Sequence, residues 1–185
     1  EASTGYKAAV VGGTGGVGKQ LIKLLNQDER CIEIKALVRH TLEEWDTEEY
    51  KEKLKIIELE NLDFMSAKAT EFEGVDLFFC CLGSRVGKGK KLFYTVDHDY
   101  PIDFAQIAVD VKAHGYYLVS SVGAKATSWN YYLKVKGQVE KDLRAMHLNN
   151  LCIARPGLLL ERNNDKRVAE TIGSFIPFFG KSFLL

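Results

Sequence analysis

A chain of 185 residues, 46% apolar and 27% charged, is long enough to bury a sizeable core and has the composition of one ordinary globular domain. Its 25 basic residues balance 25 acidic ones, so no overall field draws it towards nucleic acid or anionic membrane. No apolar run approaches the ~18 residues of a membrane span, and no charged-then-apolar leader opens the chain. The start at Glu1 and the apolar end Phe183-Leu184-Leu185 both read as cut rather than native.

The first predicted element is a strand over about Lys7 to Val11. It breaks into Gly12-Gly13-Thr14-Gly15-Gly16-Val17-Gly18, and a helical pattern follows from about Val17. Gly12, Gly15 and Gly18 give the spacing G-x-x-G-x-x-G, and Gly13, Gly15 and Gly18 also satisfy G-x-G-x-x-G. A strand, a glycine-rich turn and a helix in this order form a nucleotide-binding loop. The glycines turn the chain, admit a pyrophosphate to the backbone and let helix pack on strand. The helix start supplies free N–H groups and a positive dipole end.

A second strand runs over Ile32 to Val38, followed by a charged surface stretch from Thr41 to Lys53. Leu54 to Leu59 is the third strand, and a helix leads from Asn61-Leu62-Asp63-Phe64 to about Phe72. Val75 to Leu82 is continuously apolar, as in a central strand buried on both faces. Next come a basic, glycine-rich loop from Arg85 to Lys91 and a helix over Pro101 to His114 with Phe104, Ile107, Ala108 and Val111 inward. Gly115 to Ser120 is the fifth strand, Asn130 to His147 a long helix, and Leu151 to Arg155 a sixth strand stopped by Pro156-Gly157. Alternating strands and helices predict a doubly wound α/β Rossmann-type domain with parallel strands ordered 3-2-1-4-5-6. A single domain spans 1–185, with 156–185 contributing part of an incomplete substrate lobe. Cys31, Cys80, Cys81 and Cys152 lack metal-ligand spacing and read as small buried hydrophobes in a reducing, intracellular compartment. No metal site is expected.

Chemistry in this fold sits at the carboxyl ends of the strands. The second strand ends in Arg39-His40 with no acid before Glu43, which favours the 2′-phosphate of NADP(H) over the free 2′-hydroxyl of NAD(H). Ser120 and Ser121 end the fifth strand. Tyr132 and Lys136, four residues apart, share one face of the next helix. An ammonium beside a phenol favours proton exchange, and a serine hydroxyl can hold a substrate oxygen.

Together these pieces resemble a short-chain dehydrogenase/reductase of the extended or atypical kind, and most closely the Tat-interacting-protein family of oxidoreductases. The resemblance rests on the glycine loop, Phe79-Cys80-Cys81-Leu82-Gly83, Val96-Asp97-His98-Asp99-Tyr100, Ser120-Ser121-Val122-Gly123-Ala124, the run Tyr132 to Glu140, and Arg155-Pro156-Gly157. It implies Tyr132 as proton donor or acceptor, Lys136 on the nicotinamide ribose, and Ser121, with Ser120 as the alternative, on the carbonyl. It also implies Thr14, Gly15, Gly16 and Val17 along the pyrophosphate, Arg39 and His40 at the 2′-phosphate, and Asp63 by the adenine. Leu82-Gly83 would lie by the adenosine ribose and diphosphate, and Leu159 and Arg167 near the nicotinamide. The expected function is NADP(H)-dependent reduction of a small-molecule carbonyl in the cytoplasm, with a nuclear or organelle-surface association open. The alternative is an NADP(H)-binding regulator acting through a protein partner. Gly13 stands where such relatives often carry alanine, and the apolar tail Ile172 to Leu185 reads as part of the substrate lobe.

Overall fold

A computed structural model describes residues 5–157. Leu159, Arg167 and the tail from Ile172 therefore lie outside the described residues. Six parallel strands form one sheet in the order 3-2-1-4-5-6, as the alternation of elements predicts. They are β1 (Tyr6–Val11), β2 (Cys31–Val38), β3 (Leu54–Glu58), β4 (Leu77–Cys80), β5 (Gly115–Val119) and β6 (Leu151–Ala154). β1 and β4 are the inner pair, in register from Ala8 against Leu77 to Val11 against Cys80. All four residues of β4 are buried, because helices cover both faces of the sheet.

One face carries α1 (Gly16–Gln27), whose Leu21, Ile22 and Leu25 pack with Val10, Ile34, Ala36 and Phe79. Trp45 joins this core from a short 3₁₀ turn over Glu43–Trp45, which α2 (Glu48–Lys51) follows. The predicted surface stretch thus contains one residue that is not on the surface. The other face is richer in aromatics. Phe72, Phe78 and Phe104 meet with ring centroids 5.0–5.8 Å apart, and Tyr116 joins them with its hydroxyl donating to the Pro101 carbonyl.

The largest departure from the expected elements concerns the helix before β5. It begins at Lys90, not Pro101, and ends at Asp110. It comprises α3 (Lys90–Tyr94), one π-helical turn over Thr95–Asp99, and α4 (Tyr100–Asp110). Part of the expected basic loop is therefore helical, with a 3₁₀ turn at Val86–Lys88 before it. The segment after β3 is a 3₁₀ helix over Leu62–Phe72, broken by non-helical geometry at Phe64.

α5 (Tyr131–Ala145) closes the second face through Val139 and Leu143. It also carries Glu140, only 1% exposed, which ties three elements together. Ser120 Oγ at the end of β5 donates to Glu140 at 2.6 Å. Arg155, just beyond β6, grips the same carboxylate through Nε at 2.9 Å and through Nη2. Burial pushes the Glu140 carboxyl up, but the hydrogen bonds from Arg155 and Ser120 and the charges of Arg155 and Arg144 outweigh it and hold it below the usual carboxylate range.

A carboxyl whose pKa is depressed by folding contributes stability above its unfolded value, about 4.3, and loses it as pH falls through the folded value. Stability should therefore fall steeply on acidification below about pH 4.3, and less steeply in Glu140→Gln. At pH 7 that variant should lose about 1–3 kcal/mol, less than a fully buried pair would cost because the Arg155 side chain is 45% exposed. Urea midpoints from pH 3 to 7 on both proteins check this.

Candidate functional site

The glycine loop lies at the carboxyl end of β1, against the end of β4. Gly12 has φ +78°, and a Cβ there would sit 2.6–2.7 Å from the Cys81–Leu82 peptide. Gly18 is as constrained, since a Cβ would collide with the Gly12 carbonyl oxygen. Gly15 and Gly16, by contrast, are exposed, and a Cβ on Gly16 would meet nothing within 4 Å. Of the two glycine spacings, the contacts thus match Gly12-x-x-Gly15-x-x-Gly18: turn, helix start, close packing. Gly13 lies beneath the loop, where a Cβ would press on Ile22 and approach Trp45.

Gly15 caps α1 without a side-chain hydrogen bond, and the first turn contains no acid. The first backbone N–H groups of α1 thus face outward with neither a capping oxygen nor a repelling charge. This open cradle, with Thr14 half-buried beside it, fits a pyrophosphate.

At the next strand ends, Arg39 and His40 are exposed after Val38. Asp63 accepts the Tyr100 hydroxyl at 2.7 Å and the Asn61 amide at 3.1 Å. Tyr100 and Asn61 hold Asp63 below the usual carboxylate range. Burial and Asp63 push the Tyr100 phenol up to about 12, against a smaller pull from Arg39. Arg39, Asp63 and Tyr100 therefore share one electrostatic neighbourhood, in which Tyr100 had no role assigned from sequence.

The serines separate clearly. Ser120 is 4% exposed and committed to Glu140. Ser121 is half-buried, and the one hydrogen bond of its hydroxyl among the described residues is a 3.3 Å contact to the Val122 carbonyl. The loop that follows is fastened to α5: the Lys125 N–H donates to the Leu133 carbonyl at 3.0 Å. Gly123, at φ +77°, packs against the Leu133 side chain, and a Cβ on Gly137 would overlap the Lys125–Ala126 peptide. Ser121 is thereby carried on a segment docked to the helix that bears Tyr132 and Lys136.

Tyr132 is half-buried in the first turn of α5, its ring 5.6 Å from that of Phe93. One turn on, Lys136 is 3% exposed with Nζ 2.8 Å from Oδ1 of Asp97, which is wholly buried. The contact is an ion pair outside good hydrogen-bond alignment, while the second Asp97 oxygen accepts the Ser84 N–H at 2.8 Å. Burial pushes the Asp97 carboxyl up, partly offset by Lys136 and the Ser84 amide. Keeping a carboxylate dry in this way opposes folding, and such groups concentrate where chemistry requires them. Asp97 stands in Val96-Asp97-His98-Asp99-Tyr100, where nothing in the local pattern separates it from the acids around it.

The β4 end joins the same cluster, for Leu82 is half-buried, Gly83 exposed, and Ser84 bonded to Asp97. All four cysteines are free, with Cys31 and Cys80 buried and Cys81 and Cys152 half-buried. No group of metal-binding side chains and no helix able to cross a membrane occurs among the described residues.

Residues 7–121 match the semialdehyde dehydrogenase NAD-binding domain family. The rat protein HTATIP2 is 32% identical over 173 residues, covering 92% of this chain and 69% of that protein. The chain belongs to the HTATIP2-related, short-chain-dehydrogenase-like family of oxidoreductases. The mitochondrial protein FMP52 of Debaryomyces hansenii is 27% identical over 168 residues, covering 89% of this chain and 72% of its own length. In fold, a short-chain dehydrogenase from Burkholderia cenocepacia in complex with NADP superposes with a TM-score of 0.70 at 15% identity, covering 97% of this chain and 86% of that one. An HTATIP2-related chain with this domain is built to hold a nicotinamide cofactor.

Within this family member, Asp97→Ala should strand a buried ammonium and cost about 3–5 kcal/mol in urea unfolding. Adding Lys136→Met should return part of the loss, because the double variant buries no charge. Additive losses would show that the two side chains do not interact.

Proposed function

We propose that this protein is an NADP(H)-dependent carbonyl reductase in which Ser121, Tyr132 and Lys136 act together. The observation that carries the reading is the arrangement on α5. Tyr132 stands half-exposed above a buried, oriented Lys136, while the Ser121 loop is docked on the same helix. The bound nicotinamide would supply a hydride. The chain's residues do the rest: Ser121 Oγ and Tyr132 Oη hold the substrate oxygen by hydrogen bonds, and Tyr132 gives it a proton from Oη. Asp97 fixes the height and direction of the Lys136 ammonium, which would meet the nicotinamide ribose and lies one turn behind the phenol.

Arg39 and His40, exposed where a dehydrogenase for NAD(H) would carry an acid, support the 2′-phosphate assignment. Gly15, Gly16 and Val17 would cradle the diphosphate with backbone amides. Leu82-Gly83 and Asp63 border the adenosine half, and Leu159 and Arg167 belong to the nicotinamide end in this reading. A reducing compartment suits the four free thiols, and the cytoplasmic face of an organelle accommodates the relatives' mitochondrial names.

Tyr132→Phe removes the proton donor while keeping the ring against Phe93. Turnover of a carbonyl substrate should fall about 10²–10⁴-fold with NADPH affinity nearly unchanged, read by stopped-flow NADPH oxidation and calorimetry. Turnover indifferent to the missing hydroxyl would overturn the catalytic assignment. NADPH should bind at least about tenfold more tightly than NADH, and Arg39→Asp should shrink or invert that ratio. Equal affinities in the unaltered protein would remove Arg39 from the cofactor site.

A further inference from the structure

The chain as a whole carries no net charge, yet charge is sorted steeply around Tyr132. Between Asp76 and Asp97 there is no acidic residue, but there are four cations: Arg85, Lys88, Lys90 and Lys91. Between Asp110 and Glu140 there is again no acid, while Lys125, Lys134 and Lys136 follow β5. These two segments leave the carboxyl ends of β4 and β5, neighbouring strands on the side of the sheet away from Arg39. Lys136 is neutralised by Asp97; the other six are exposed and have no carboxylate partner among the described residues.

The first segment is also a built arch. At one end the Ser84 N–H is tied to Asp97 at 2.8 Å, beneath Lys136. At the other the Tyr131 hydroxyl donates to the Lys90 carbonyl at 3.1 Å, with Lys90 Nζ 5.3 Å from the centroid of the same ring. Phe93 then packs against both Tyr131 and Tyr132. Both feet of the arch therefore stand on the catalytic helix or its counter-ion, and Arg85 and Lys88 ride between them. Exposed cations on one anchored segment, without counter-ions, raise the local potential and draw anions.

Resting on the reductase reading above, we propose that the substrate is an anionic carbonyl compound, its carboxylate or phosphate group met by the arch from Arg85 to Lys91. In that reading the cofactor's own phosphates are served by the α1 start and Arg39, which leaves this charge for the substrate.

The test compares benzaldehyde, 4-carboxybenzaldehyde and 4-formylphenyl phosphate on the full chain. Turnover is read with NADPH, and binding to the NADP⁺-loaded protein, which has no hydride to give, by calorimetry. One or both anionic probes should exceed benzaldehyde at least about tenfold in kcat/KM and affinity at low salt, and the excess should shrink towards ~0.5 M salt. The stronger of the two identifies the anion. Arg85→Glu/Lys88→Glu should erase most of that excess while NADPH affinity holds, which also reports an intact fold. Anionic probes that bind in this charge-dependent way without turnover would sustain the anion site and sink the reductase reading. Turnover with no preference for charge would do the reverse. A fall in NADPH affinity matching the fall for the anionic probes would assign the cations to the cofactor and overturn the proposal.

Discussion

A carboxylate with no exposure to water must find compensation inside the protein, and Asp97 finds it in Lys136 and the Ser84 amide. Much of the site follows from that requirement. The pair joins the π-helical turn to α5 and, through Ser84, to the end of β4. Three elements that the sheet alone would hold only at their far ends are thus drawn together beside Tyr132. Removing two charges from water is expensive, and apolar side chains would fill the same space at lower cost. What the ion pair provides instead is an ammonium of fixed height and direction, one helical turn behind a phenol.

A second constraint operates on the other side of the switch between β1 and β4. Gly12 and Gly18 lack side chains because backbone from β4 and from the loop itself occupies those positions. Close packing there leaves Gly15 and Gly16 outside, with the α1 amides uncapped. The glycine-loop end is accordingly made almost wholly of backbone, and the end around Asp97 and Lys136 of side chains. Glu140 performs the joining role at the far edge, where it engages Ser120 and leaves the Ser121 hydroxyl with only a long contact to the Val122 carbonyl.

The strand order and the glycine loop were legible in the sequence because both are written in short-range patterns: apolar runs, glycine spacing and the alternation of elements. Tyr132 and Lys136 were legible as helix-face partners for the same reason. The helix from Lys90 was not. Its first turn contains two lysines after a glycine, so it reads as loop, and Pro101 imitates a helix start. The wide turn just before Pro101 accommodates a residue with no N–H to donate. Asp97, Trp45 and the clasp of Ser120 and Arg155 on Glu140 depend on which elements meet across the fold. That information is absent from local periodicity.

The π-helical turn has a consequence for how this segment tolerates change in length. A π turn winds one more residue into each turn than an α turn does, so the extra residue is taken up with little change of phase between α3 and α4. Phe93 is accordingly presented to Tyr131 and Tyr132 much as an uninterrupted helix would present it. Adding or deleting a residue in the regular turns on either side would instead swing one part about the axis by about 100°. Length is thus forgiven at Thr95–Asp99 and exacting in the turns that flank it.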